Sequence, residues 1–187
     1  MRLSFFIVFF HFAHFAMGQR VDFRNDSLFI NTIFVNQTTS KSTLDSLLLD
    51  KGKLIKTIGK SMPGTNQPPT WTKIIYKKKG LIFSKNDYDT SNLLVAIKLY
   101  KNTNPDVDQN NMSTKAFNGE LFIDINYMND IKRIEQLQKL SNCLVTYKES
   151  TFASHTGIVS CNILYRTRAI RALFDFQTND LTCIFID

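Results

Sequence analysis

Apolar positions fall along this chain in short blocks separated by polar and turn-forming residues, and most of the blocks read as strands. Residues 28–36, LFINTIFVN, are rich in Phe, Ile and Val and predict extended structure with a tight hairpin around Asn31 and Thr32. A polar stretch follows at 37–41, after which Leu44, Leu47, Leu48, Ile55 and Ile58 fall near helical spacing. Ser42 followed by Asp45 resembles a capping box and Gly59 fits a helix stop, although Gly52 interrupts the pattern. Residues 61–69 carry Pro63, Gly64, Pro68 and Pro69 and read as loop. Strands are predicted over 71–76, 81–84 and 93–100, with 77–80 joining the first two. Residues 101–116, KNTNPDVDQNNMSTKA, are polar and Asn-rich and make the best linker. Beyond it, 117–128 is extended. Ile131, Ile134 and Leu137 predict a helix over 130–140. Strands follow at 143–148, 157–165, 169–176 and 181–186, with a turn at Thr178, Asn179 and Asp180.

The first eighteen residues differ from everything after them. Arg2 precedes an almost wholly apolar run at 3–15, broken only by Ser4, His11 and His14, and Ala16, Met17 and Gly18 end it with small residues. This is the layout of a secretory signal peptide over 1–18, with cleavage expected before Gln19. The run is shorter than the roughly 20 apolar residues of a spanning helix, so an uncleaved anchor is the lesser alternative. Residues 19–187 are then expected to form a single exported domain, periplasmic or secreted. The apolar share of 43% and the charged share of 21% are those of an ordinary globular protein. The formal charge of +7 is dispersed, and its densest run, Lys77, Lys78 and Lys79, reads as a solvated turn. Nucleic acid is not expected as a partner of an exported chain. An anionic membrane surface touched by the lysine run is the alternative use of that charge. The three cysteines, Cys143, Cys161 and Cys183, permit one disulfide with a thiol left over, or three small buried side chains. Cys161 and Cys183 lie inside apolar runs, which favours burial.

Compared with itself, the chain repeats. LFINTIFVN at 28–36 aligns with LFIDINYMN at 121–129: Leu28, Phe29, Ile30 and Asn36 equal Leu121, Phe122, Ile123 and Asn129. Asn31 pairs with Asp124, Phe34 with Tyr127, and Val35 with Met128. Further on, Tyr76, Lys77, Gly80, Leu81 and Ile82 correspond to Tyr147, Lys148, Gly157, Ile158 and Val159, and Ala96, Ile97 and Tyr100 to Ala172, Leu173 and Phe176. The order strand, helix, strand, strand, strand therefore occurs twice, over about 27–102 and 117–187, with 101–116 as linker. Each half is too thin to bury an apolar sheet face alone. The expected fold is α+β: an antiparallel sheet with two helices packed on one face, built from two similar β-α-β-β-β halves.

Little in the sequence carries chemistry. His155 and Cys161 offer a thiol and a base, but no motif joins them, and a thiol hydrolase using Cys161 or Cys143 is the minor reading. No His and Cys ligands cluster at zinc spacing. Asn102, Asn104, Asp106, Asp108 and Asn110 alternate as in a calcium loop, yet Val107 and Ser113 stand where such a loop needs glycine and glutamate. Neither a Gly-rich phosphate loop nor a serine nucleophile elbow is present. No catalytic residue, metal or cofactor is therefore expected. Sequons begin at Asn25, Asn36 and Asn111. The abundance of Phe, Asn, Lys and Ile suits an AT-rich bacterial source, in which they would be incidental.

The segment KLIKTIGKSMPG at 53–64, the Lys-Gly-Leu-Ile at 79–82 and the pattern Phe117-Asn118-Gly119-Glu120-Leu121-Phe122-Ile123 together resemble exported domains of unknown function in Bacteroidota-type bacteria. The doubled helix-plus-sheet plan is also similar to the tandem layout of the β-lactamase inhibitor protein and of outer-membrane assembly lipoproteins, without the lipidated cysteine of the latter. These resemblances imply binding to another envelope or secreted protein through a sheet face. Within that reading Trp71, Tyr76 and Tyr88 are the aromatic anchors expected of an interface, with Lys77, Lys78 and Lys79 beside them.

Overall fold

The computed structural model describes residues 19–58, 70–86, 93–99, 115–147, 158–175 and 177–186. The strands are β1 (Arg20–Arg24), β2 (Ser27–Ile30), β3 (Ile33–Val35), β4 (Lys53–Ile58), β5 (Thr70–Tyr76), β6 (Leu81–Asn86), β7 (Leu93–Lys98), β8 (Glu120–Ile123), β9 (Asn126–Tyr127), β10 (Cys143–Tyr147), β11 (Ile158–Tyr165), β12 (Arg168–Asp175) and β13 (Leu181–Ile186). The helices are α1 (Lys41–Leu48) and the single turn α2 (Ile134–Leu137), the latter preceded by a 3-10 turn at Met128–Asp130.

The fold is α+β and dominated by antiparallel sheet. Eight strands form one wholly antiparallel sheet in the order β10-β11-β12-β13-β7-β6-β5-β4, in which β7 and β13 meet at the centre through Ile97 opposite Ile184. The expectation of one continuous sheet is corrected, because β2–β3 and β8–β9 leave it. With β1 they form a second sheet of five strands in the order β3-β2-β1-β8-β9. β1, which the sequence did not suggest, pairs antiparallel with β2 and parallel with β8. Gly119 permits that parallel pair, since a Cβ there would stand 2.0 Å from the Gln19 carbonyl oxygen. Glu120 N–H donates to that same oxygen at 2.7 Å.

The two sheets and both helices share one core. Val21, Phe23, Leu28, Ile30, Leu121, Ile123 and Met128 of the small-sheet layer pack with Ile74, Phe83, Ile97, Ile170, Phe174 and Ile184 of the large sheet and with Leu44, Leu48 and Leu137 of the helices. A smaller cluster of Ile75, Ile82, Ala96 and Cys183 lies apart from it; strand alternation puts it on the other face of the large sheet. The predicted hairpin at Asn31 and Thr32 is present, with φ of 49° and 73°, and Asp124 adopts 55° in the corresponding turn between β8 and β9.

Both helices are shorter than their spacing predicts. α1 stops at Leu48 because Leu49 turns left-handed, at φ 49°. The Asp45 carboxylate then accepts from Gly52 N–H at 3.0 Å and from the Tyr76 hydroxyl at 2.8 Å, which turns the chain back onto β5. Gly52 is pressed so closely that a Cβ would stand 2.6 Å from the Ile74 side chain. Ile55 and Ile58, spaced as if helical, therefore lie in β4. α2 cannot start earlier because the Lys132 carbonyl accepts from Leu181 N–H at 2.7 Å and Arg133 bridges to Asp180.

Candidate functional site

The small sheet has an outer face whose composition is unusual for a solvated surface. β1 reads RVDFR: Val21 and Phe23 are buried, so alternation turns Arg20, Asp22 and Arg24 the other way. On β2 and β8, Leu28, Ile30, Leu121 and Ile123 are buried, which sends Phe29 and Phe122 outward. The register then places Phe34 opposite Phe29, Phe29 opposite Asp22, Asp22 opposite Phe122, and Phe122 opposite Tyr127. A single row, Phe34–Phe29–Asp22–Phe122–Tyr127, thus crosses all five strands of the sheet.

The row is held together by contacts within the face. Phe29 and Phe34 have ring centroids 5.8 Å apart, and Phe122 and Tyr127 5.1 Å apart. The Arg20 guanidinium lies 4.1 Å above the Phe122 ring and 3.2 Å from Asp22 Oδ2. Arg24 lies 4.8 Å above Phe29 and 3.8 Å from the same oxygen. Covered from both sides, Asp22 is only 6% exposed, while Phe34 and Tyr127 at the ends are 51% and 37% exposed. Each cation–π contact contributes about 0.5–1 kcal/mol at such a surface. What the set provides is two half-exposed guanidiniums and two half-exposed rings in fixed positions. The one carboxylate of the row, Asp22, has its Oδ2 within ion-pair distance of both guanidiniums.

The residues expected to form the contact surface do not come together. Tyr76 is fully buried and is withdrawn as an anchor. Its hydroxyl donates to Asp45, its ring meets Phe83 edge-on at 5.8 Å, and burial followed by the Asp45 carboxylate pushes its pKa above the tyrosine range. Trp71 is partly exposed near the start of β5, whereas Lys77, Lys78 and Lys79 occupy the turn after its end. At ~3.3 Å per residue, Trp71 and Lys77 are about 20 Å apart. Tyr88 lies outside the described residues, as do His155 and the Asn/Asp run at 102–110.

The cysteines do not come together with one another either. All three are free. Burial pushes the Cys161 thiol up to about 11 and the Cys183 thiol to about 12, and burial with the Asp124 carboxylate raises Cys143. Cys161 is in register with Tyr147, so Cys143 sits four residues along the neighbouring strand. That is about 13 Å, beyond disulfide reach. Cys183 is separated from Cys161 by the whole of β12. Among the described residues no group of three metal-ligating side chains occurs. A cavity of about 220 Å³ opens beside the β1–β2 turn, lined by Phe23, Leu28, Ile186, Asp26, Gln37 and Arg168 among others. Its Asp26 carboxylate accepts from the Thr167 hydroxyl at 3.1 Å.

Comparisons with protein-family models, with curated proteins and with solved structures return no match to this chain.

Proposed function

We propose that this chain is an exported, non-catalytic binding module of the cell envelope, and that it holds a protein partner on the outer face of its small sheet. The observation that carries the reading is the row Phe34–Phe29–Asp22–Phe122–Tyr127 with Arg20 and Arg24 stacked over it. Aromatic rings and arginines are the side chains that supply most binding energy in protein interfaces. Here they are already ordered, so little side-chain entropy is left to lose on association. The partner best suited to the face has apolar side chains to meet Phe34 and Tyr127 and a carboxylate to share the guanidinium donors.

The doubled plan supports the same reading. The runs β2–β3, α1, β4–β7 and β8–β9, α2, β10–β13 have the same element order, with four strands after each helix where the sequence predicts three. The residue pairs that matched 76–82 with 147–159 and 96–100 with 172–176 therefore fall one strand out of step, and only the hairpin pairing at 28–36 and 121–129 is kept. We infer a duplication in which the outward aromatic pair of one hairpin, Phe29 and Phe34, has its counterpart in Phe122 and Tyr127. The resemblance to tandem inhibitor and assembly proteins, which bind through a sheet face, and to exported Bacteroidota-type domains points the same way. Base stacking on the row is disfavoured: guanidiniums cover Phe29 and Phe122, and the ring pairs are tilted by 57° and 41° rather than stacked.

A photo-crosslinking amino acid at Tyr127 tests the proposal in intact envelope. The expected result is a discrete protein adduct that disappears when Phe122→Ser and Arg20→Ser are added, with the fold verified by circular dichroism. If the same probe at Leu164, an exposed residue on the large sheet, gives the same adducts at the same yield, the face has no specific partner and the proposal is withdrawn.

A further inference from the structure

A second surface, independent of the aromatic face, lies along the free edge of β4. This strand ends the order of the large sheet and pairs with β5 alone among the described strands, leaving one row of backbone N–H and C=O groups without a strand partner. An open edge is a template for another chain unless it is blunted, and lysine is a common blunting residue. β4 carries Lys53 and Lys56, with Lys51 just before it, and none of the three is in an ion pair among the described residues. Repulsion alone does not account for the strand, however. Leu54 is 48% exposed and Ile58 is 70% exposed, and alternation sets both on the same face as Lys56. A strand serving only to turn others away gains nothing from two exposed aliphatic side chains.

Among the described residues, open backbone, exposed aliphatic side chains and positive charge without an ion-pair partner occur together on six consecutive residues. We propose that β4 receives an acidic, extended segment of a partner protein as a ninth strand of the large sheet. The pairing pattern follows from cross-strand contacts, in which directly opposite residues share a face. An antiparallel segment would place carboxylates opposite Lys53 and Lys56 and aliphatic side chains opposite Leu54, Ile55 and Ile58. Read along the partner, this is aliphatic, any residue, acidic, aliphatic, aliphatic, acidic. A second copy of β4 is a poor occupant, because pairing would gather the lysines of both strands. The opposite edge of the sheet, β10, has the sequence CLVTY and no charge with which to select a partner.

The chain contains a built-in reporter. Trp71 is its one tryptophan, and it stands opposite Thr57 of β4. The full chain is titrated with ten-residue peptides centred on Val-Thr-Glu-Val-Val-Glu or on Val-Thr-Lys-Val-Val-Lys, following Trp71 emission and amide exchange along β4. The acidic peptide should give a saturable change in emission and slow β4 exchange, weakening with salt. The lysine peptide should bind about tenfold less tightly, and the double variant Lys53→Glu, Lys56→Glu should invert the preference. Phe122→Ala should leave all of this unchanged, which separates the edge from the aromatic face. Equal binding of both peptides would reduce β4 to a merely adhesive edge and overturn the proposal. So would an absence of any change in emission and exchange, which would make the lysines guards. Dimerisation of the free chain lost on Leu54→Lys would overturn it in favour of a second copy.

Discussion

Asp22 is the residue on which the aromatic face turns. Its side chain stands on the solvent side of a sheet yet is almost fully covered, and the covering groups are the two guanidiniums that neutralise it. Removing one partner of such a set leaves the others undercompensated, which costs more than the pair contributes. Asp22→Ala should therefore lower stability by no more than about 1 kcal/mol in urea unfolding, because the arginines left behind are half-exposed and the substitution also removes Oδ1, which is buried without a hydrogen-bond partner among the described residues. It should also release Arg20 and Arg24 from Phe122 and Phe29, so binding at the face should fall further than stability does. This face was only partly legible in the sequence. The alignment of 28–36 with 121–129 already paired Phe29 with Phe122 and Phe34 with Tyr127. The alternation of LFI says that the middle residue faces away from its neighbours. What could not be read was β1, whose five residues hold two apolar positions and whose register alone brings Asp22 between the rings. Tyr76 misled for the opposite reason: its hydroxyl has a partner, Asp45, 31 residues away, so it could be buried whole. The cysteines are plainer. Cys161 and Cys183 are buried and their thiols raised, so neither should react with a thiol reagent in the native protein, whereas the half-buried Cys143 should react slowly; all three should react in guanidinium.

At the scale of elements, strands were legible and helix ends were not. The strand blocks at 71–76, 81–84, 93–100, 143–148, 157–165, 169–176 and 181–186 match β5, β6, β7, β10, β11, β12 and β13 to within a few residues, because buried strands are dense in β-branched and aromatic side chains. The segment at 53–58 misled because KLIKTI fits a helical period as well as an alternating one. Tertiary contacts decided between them, through Asp45 and the space that only Gly52 fits. Two measurements follow from that junction. Leu49 is exposed and left-handed, at φ 49°, so Leu49→Gly should raise stability by about 1 kcal/mol in denaturant unfolding, as glycine does at helix ends of this kind. Asp45 has its carboxyl pKa shifted two ways. Burial raises it, and the hydrogen bonds from Lys41, Gly52 and Tyr76 outweigh that and hold it below its ordinary value of 3.8. A carboxylate lowered on folding contributes stability above its unfolded value and loses it as pH falls through the folded one. Wild type should therefore lose stability more steeply than Asp45→Asn below about pH 4, measured by urea midpoints at stepped pH. A parallel decline in the two proteins would separate the α1–β4 junction from acid sensitivity.

For the molecule as a whole, the question is whether either run of elements can stand without the other. Neither sheet is confined to one half of the chain. The large sheet is joined where β7 meets β13, and the small sheet where β1 lies beside β8, so both joins link residues before 100 to residues after 116. Core residues from both ends, Val21 and Ile186 among them, belong to one cluster. Cutting between the runs would expose the β7 and β13 edges together with the apolar faces on either side of them. It would also strip β8 and β9 of the strand that connects them to β2. A hairpin of that size is marginal by itself, and a four-stranded sheet lacking its covering layer leaves its apolar face in water. Residues 117–187 expressed alone should therefore give collapsed amide dispersion and no cooperative thermal transition. Mixed with residues 19–116 and refolded together, they should recover the spectrum of the intact chain. A cooperative transition in 117–187 alone would mean that its own turn of helix and four strands suffice as a core, and the shared central strands would then be a docking interface between two small domains.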